Sequence, residues 1–189
     1  VVPAGQAGAN ATAEFTGSAA AGPAPMIPAM NPPTSDERWR PSVTVAAVIE
    51  HGGRYLLVQE HTPEGLRLNQ PAGHLDPGES LLQAVVREVR EETACDFTPQ
   101  SLLGVHLATF TRADDTITYL RFAFCGTVGA PLPGRTLDAP IVRTLWLTPE
   151  EIAARAAEHR SVLVQRCIDE HRAGLRFPLD VLRTDRDSR

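Results

Sequence analysis

No run of apolar residues in this 189-residue chain approaches the roughly 18 that a membrane-spanning helix needs, so no segment reads as a transmembrane span. Basic blocks are missing as well. The formal net charge is −5, and no aromatic-rich basic surface stands out. Binding a phosphate backbone takes clustered Lys and Arg, so a nucleic-acid polymer is not an expected ligand. Cysteine is scarce. Cys95, Cys125 and Cys167 are odd in number and far apart, with neither zinc-site spacing nor a disulfide framework. A reducing cytoplasm is the expected compartment. Internal repeats are not evident.

Charge is nearly absent before Thr34, where Glu14 stands alone among mostly Ala, Pro and Gly. Such a stretch cannot bury enough apolar surface to offset its ordering entropy. Residues 1–38 are therefore expected to form a disordered extension, and 39–189 a folded domain. The extension has no basic n-region and carries scattered prolines, so it does not read as a signal peptide. Met26 and Met30 are candidate native starts.

Within the folded part, Ser42–Ile49 is a β-rich run. Arg54–Gln59 follows it across His51-Gly52-Gly53, a hairpin signal. Further strands are expected at Leu102–Phe110 and Ile117–Val128, joined by a polar loop over Thr111–Thr116. Pro131–Pro140 reads as a loop and Val142–Leu147 as a last strand. Thr148-Pro149-Glu150-Glu151 supplies a cap, a first-turn proline and acids for a helix start. A final helix is expected over Ser161–Arg172, stopping at Gly174. With a helix over Glu79–Thr93, strands interleave with three helices in one α/β (α+β) domain.

Residues 73–95, GHLDPGESLLQAVVREVREETAC, carry the chemistry. At about 100° per residue, and with Glu88 at zero, Glu91 falls near −60° and Glu92 near +40°. Leu82, Val85, Val86, Val89 and Thr93 form a neighbouring apolar stripe. Ser80 or Asp76 could cap the start. A helix rich in Arg and Glu is commonly just a solvated, salt-bridged face. Here, however, the acids violate the helix's own electrostatics. Glu88 and Glu92 are like charges at i, i+4, and all three sit near the C-terminus, where the macrodipole favours cations. Arg87 and Arg90 supply part of the compensation. A hard divalent cation would supply more, since Mg²⁺ takes oxygen ligands and retains substrate phosphates in its shell.

The spacing Gly73, five residues, Glu79, seven residues, Arg87-Glu88-Val89-Arg90-Glu91-Glu92 resembles the signature box of the Nudix hydrolases. The order of elements is also similar to the Nudix fold, a mixed β-sheet sandwiched between α-helices. Two box positions depart. Ala94 stands where the family usually has Gly, and Cys95 where it has an aliphatic residue. Ala in a left-handed helix end costs on the order of 1 kcal/mol, so either the helix ends differently or the cost is tolerated. Cys95 suits plain core packing. Beyond the box, VTVAAVIEHGGRYLLVQE, NQPAGH at Asn69–His74, YLRFAF at Tyr119–Phe124 and RFPL at Arg176–Leu179 resemble one bacterial subgroup, the small NudJ phosphatases.

The resemblance implies hydrolysis of a pyrophosphate linkage by water with Mg²⁺, or Mn²⁺ in its place. Orthophosphate would be released from thiamine-pathway pyrophosphates (hydroxymethylpyrimidine pyrophosphate, thiamine diphosphate) or from nucleoside di- and triphosphates. The alternatives are an ADP-ribose or other nucleoside-diphosphate-X pyrophosphatase, and a non-catalytic nucleotide-binding module. Retention of Glu79, Glu88, Glu91 and Glu92 favours an enzyme. The expected partner is a small-molecule pyrophosphate substrate, and the expected assembly a monomer or homodimer. Glu88 and Glu92, one turn apart, can hold a metal together, and the Ala72 carbonyl is a ligand position carried over from the family. Glu91 serves a second metal or acts as the base. Glu79 orients, and Arg87 fixes a carboxylate through charge-assisted hydrogen bonds. Gln70 and Arg121 are candidate substrate contacts. His61, His74 and His106 read as structural, and Asp114 and Asp115 as a solvated turn.

Overall fold

Val, Ala and Ile alternate into two buried faces along Ser42–His51 (β1), and this strand organises the rest of the computed structural model. The structure describes residues 38–112 and 115–185. The chain divides between Trp39 and Arg40 into two units. Of the first, only Arg38 and Trp39 are described, so the expected extension lies otherwise outside the described residues. The second unit carries every element named below.

Gly52 and Gly53, both at positive φ, turn β1 into Arg54–Thr62 (β2). Two short strands follow, Gly65–Asn69 (β3) and Ala72–His74 (β4). Then come helix Leu81–Thr93 (α1), the long hairpin Cys95–Arg112 (β5) and Asp115–Pro131 (β6), and strand Ile141–Leu147 (β7). Helices Pro149–Ala154 (α2) and Leu163–Arg172 (α3) close the chain, with short 3-10 turns at Ala156–Glu158 and Leu179–Val181. The sheet is mixed, ordered β3-β2-β1-β6-β5, with β4 added to β1 and β7 to β2. β1 and β6 run parallel and the other pairs antiparallel.

Two apolar clusters lie on opposite faces of this sheet. Val45, Ala47, Ile49 and Phe124 pack against Ala84, Val85 and Val89 of α1. Val48, Leu57, Ala123 and Cys125 pack against Ile152 of α2 and Val164, Cys167 and Ile168 of α3. The expected mixed sheet between helices is what forms. Among the described residues, no helix is long and apolar enough to cross a membrane, and the three cysteines are free and buried.

Several boundaries differ from expectation. α1 starts at Leu81 rather than Glu79, because Ser80 caps it in a reciprocal box with Gln83. β5 begins at Cys95, directly after the helix. Ala94 adopts φ 57°, and its N–H donates to the Arg90 carbonyl, so the chain turns within one residue. The conformational cost of that alanine is borne rather than avoided. Within the expected polar loop, Thr111 and Arg112 continue the ladder opposite Thr116 and Asp115. The expectation for Asp114 lies outside the described residues. α3 starts at Leu163, its first turn preceded by Ser161, whose Oγ accepts from the Leu163 N–H.

Candidate active site

α1 delivers its acids to the edge of the sheet where β4 joins β1. The amphipathic pattern buries Val85 and Val89 and leaves Glu88 and Glu92 pointing along the β4 backbone. The Ala72 N–H donates to Glu92 Oε2 at 2.8 Å. The Glu88 carboxylate lies against Gly73, and a Cβ there would overlap all three of its carboxyl atoms. That close approach is the reason the position needs glycine. The two carboxylates thus rest on adjacent residues of one strand.

Both are held in poorly hydrated surroundings. Glu88 is buried, and that burial raises its carboxyl above the ordinary range despite the opposing pull of Arg87. Glu92 is only partly covered as a whole residue, but its carboxyl end is enclosed. Burial pushes it up to about 8, against the Ala72 hydrogen bond, and the charges of Glu88, Glu60 and Asp138 push the same way.

Arg87 gathers the remaining charges. Its Nε and Nη2 donate to Glu79 at 3.1 and 2.7 Å, and its Nη1 to Glu88 at 2.7 Å and Glu91 at 3.1 Å. Nη2 also reaches the His74 carbonyl at 2.9 Å and lies 3.5 Å from Asp76. The hydrogen bond from Arg87 holds Glu79 below the usual carboxylate range. Glu79 also accepts from the Asp76 N–H at 2.7 Å, tying the turn before α1 to the helix.

A cleft of about 290 Å³ opens beside this edge. Ala72, Gly73 and His74 form one side, Phe110, Ile117 and Tyr119 of the long hairpin contribute an apolar wall, and Arg121 lies in it. Arg121 sits opposite Thr44 in β1 and His106 in β5. Its Nε and Nη1 are buried without a partner, and burial lowers its pKa.

Gln70 is not the cleft residue expected of it. Its side chain is fully buried and its Nε2 donates to the Val164 carbonyl at 2.8 Å, anchoring α3. It does not line the cleft. Thr44, Glu60, Asn69 and Arg160 do, and Asp138 lies near Glu92; sequence reasoning missed all five. Glu60 closing the apolar run YLLVQ was the one available signal. His106, Cys167 and Glu170 also converge. There His106 Nε2 already pairs with Glu170 at 2.8 Å, and burial pushes the Cys167 thiol up to about 12. This cluster ties α3 to β5. His74 lines the cleft, and its ring lies 6.2 Å from that of Tyr119.

The NUDIX domain profile matches residues 38–167. The chain belongs to the Nudix family. Phosphatase NudJ of Escherichia coli strain K12 is 35% identical over 144 residues, covering 76% of this chain and 92% of that protein. The corresponding protein of Shigella sonnei matches to the same extent. Among solved structures, a Nudix hydrolase from Nitrosomonas europaea is 50% identical with a TM-score of 0.73, covering 79% of this chain and all of that one. This Nudix protein is accordingly a hydrolase of pyrophosphate bonds acting on small molecules. Nudix enzymes generally use divalent metals, and the residues here fit one. The donor set is all oxygen, and burial of Glu88 and Glu92 disfavours their charged forms unless a cation lies among them.

Proposed function

We propose that this chain is a Mg²⁺-dependent phosphohydrolase that releases orthophosphate from thiamine-pathway pyrophosphates and from nucleoside di- and triphosphates. The observation that carries the reading is the pair of enclosed carboxylates, Glu88 and Glu92, lying against β4 beside a cleft that contains an unpartnered arginine. Glu88, Glu92 and the Ala72 carbonyl would hold the ion, for which Mn²⁺ could substitute. Bound there, it would supply neutralisation of phosphate charge and polarisation of the attacked phosphorus.

The chain's own groups do the rest. Arg121 presents buried donors to a phosphate, a role for which a guanidinium is well shaped. Glu91 is more exposed than Glu88 and takes the proton of the attacking water as its oxygen bonds to phosphorus. The bridging P–O bond breaks and the proton count is restored on the leaving oxygen. Arg87, braced by Glu79, keeps Glu88 and Glu91 in place through the strand-to-helix turn, and the Ala72 N–H keeps Glu92. The Phe110–Ile117–Tyr119 wall excludes water from one side of the cleft. Similarity to the NudJ phosphatases supports the substrate class.

The test is a phosphate-release screen with and without Mg²⁺. It would cover thiamine diphosphate, hydroxymethylpyrimidine pyrophosphate, nucleoside di- and triphosphates and ADP-ribose. Mg²⁺-dependent orthophosphate is expected from the first three classes. Two phosphomonoesters from ADP-ribose, without orthophosphate from the others, would replace this reading with a nucleoside-diphosphate-X pyrophosphatase.

A further inference from the structure

Buried polar atoms in folded proteins nearly always have partners, so a concentration of orphans marks a place built for something else. Among the described residues, eight buried side-chain nitrogens and oxygens have none. Five of the eight belong to Thr44, Glu60, Asn69 and Arg121, and all four residues line the same cleft. Thr44 and Asn69 are only 5% and 7% exposed. Leaving five such atoms unpaired is costly, and a ligand that met their demands would recover that cost.

Their chemistry specifies the ligand. Arg121 offers only donors and wants an anion. Glu60 as a carboxylate accepts only, as does the orphaned Oδ1 of Asn69, and the Thr44 hydroxyl can adapt. Among the described residues, the cation paired with Glu60 Oε1 is the Arg160 Nε, 4.0 Å away and too far for a hydrogen bond. The cleft therefore combines a site for a phosphate with acceptors that call for N–H groups. Its wall includes the tilted Phe110 and Tyr119 rings, with centroids 5.9 Å apart, and His74 beside Tyr119. Such a wall suits a flat ring.

We propose that Glu60 is a specificity-determining residue. It accepts a hydrogen bond from an amino group on the edge of an aromatic heterocycle carried by the pyrophosphate, and so selects amino-bearing rings over their oxo counterparts. Asn69 supports it as a second acceptor. An oxo substituent would set an acceptor against a carboxylate, which is repulsive as well as unpaired. This inference rests on the phosphohydrolase reading and deepens it.

The test compares kcat/KM for two matched pairs, cytidine with uridine diphosphate and adenosine with inosine diphosphate, in wild type and Glu60→Gln. Wild type is expected to favour the amino member of at least one pair tenfold or more, the range for a hydrogen bond to a charged group. Glu60→Gln should reduce that ratio at least tenfold, mainly through KM. If the Gln variant does not fold, Glu60→Asp, whose acceptor is one carbon short, must reduce the ratio too. The proposal is overturned if wild type shows no amino preference in either pair, or if the variants depress both members alike. A uniform loss would instead assign Glu60 to the metal or to the fold. Absence of phosphate release from all four nucleotides and from the thiamine-type substrates would count against the hydrolase reading itself, a separable result.

Discussion

Arg87 grips Glu79 through two parallel hydrogen bonds, Nε to Oε2 at 3.1 Å and Nη2 to Oε1 at 2.7 Å. Eight residues apart, the two join the turn after β4 to the middle of α1. The third nitrogen, Nη1, is thereby aimed at Glu88 and Glu91. A planar guanidinium can make this fork and an ammonium cannot. Arg87→Lys should therefore keep the fold but lower kcat tenfold or more, measured by steady-state phosphate release alongside circular dichroism. Wild-type turnover in the Lys variant would show that the fork has no role in placing the acids.

Glu92→Gln removes a charge where a cation is proposed to bind, and leaves a side chain of the same size. Turnover is expected to fall by a factor of a hundred or more. Mg²⁺ should raise the melting temperature of wild type but not of the variant, because only a ligand that binds the folded state stabilises it. Thermal melts with and without Mg²⁺ check both halves, and a variant that still responds fully to Mg²⁺ contradicts the assignment.

Gly73 has no Cβ to collide with Glu88. In Gly73→Ala the new methyl must displace the carboxylate or the β4 backbone. An activity loss of at least tenfold is expected, with a stability loss of about 1–3 kcal/mol typical of overpacking. Urea denaturation and phosphate release measure the two effects. Unchanged values in both would mean that Glu88 has room to move without consequence.

The enclosed carboxyl of Glu92 makes metal-free protein sensitive to pH. Its folded value of about 8 lies above the ordinary value of 4.5. Between these values the folded state retains a proton that the unfolded state has lost. Stability of the metal-free protein is therefore expected to fall as pH rises from about 4.5 to about 8. Mg²⁺, which competes with that proton, should stabilise more as pH rises across the same window. Melting temperatures in chelator and in Mg²⁺ across this range test the sign. A metal-free protein that gains stability over that range from this group would contradict it, and Glu92→Gln should flatten the slope.

Much of the candidate site was legible because it is local. Glu79, Arg87, Glu88, Glu91 and Glu92 lie within one turn and one helix, where 3.6-residue periodicity fixes which side chains are neighbours. Strands β3 and β4 were not legible. They are five and three residues long, and β4 exists because β1 offers it partners far back in sequence, Ala46 for Ala72 and Thr44 for His74. The error at Gln70 has the same origin. The carbonyl of its neighbour Pro71 accepts from the Ala47 N–H of β1, and the Gln70 side chain is then taken up by α3, nearly a hundred residues on.

Spacing along a few consecutive turns is enough to encode the acidic helix, its glycine turn and the family to which both belong. The convergence of Thr44, Glu60, Asn69 and Arg121 on one cleft, with their polar atoms unpaired, arises only once the sheet is assembled. They come from four different strands, and no periodicity within a segment encodes which strands the sheet will bring side by side.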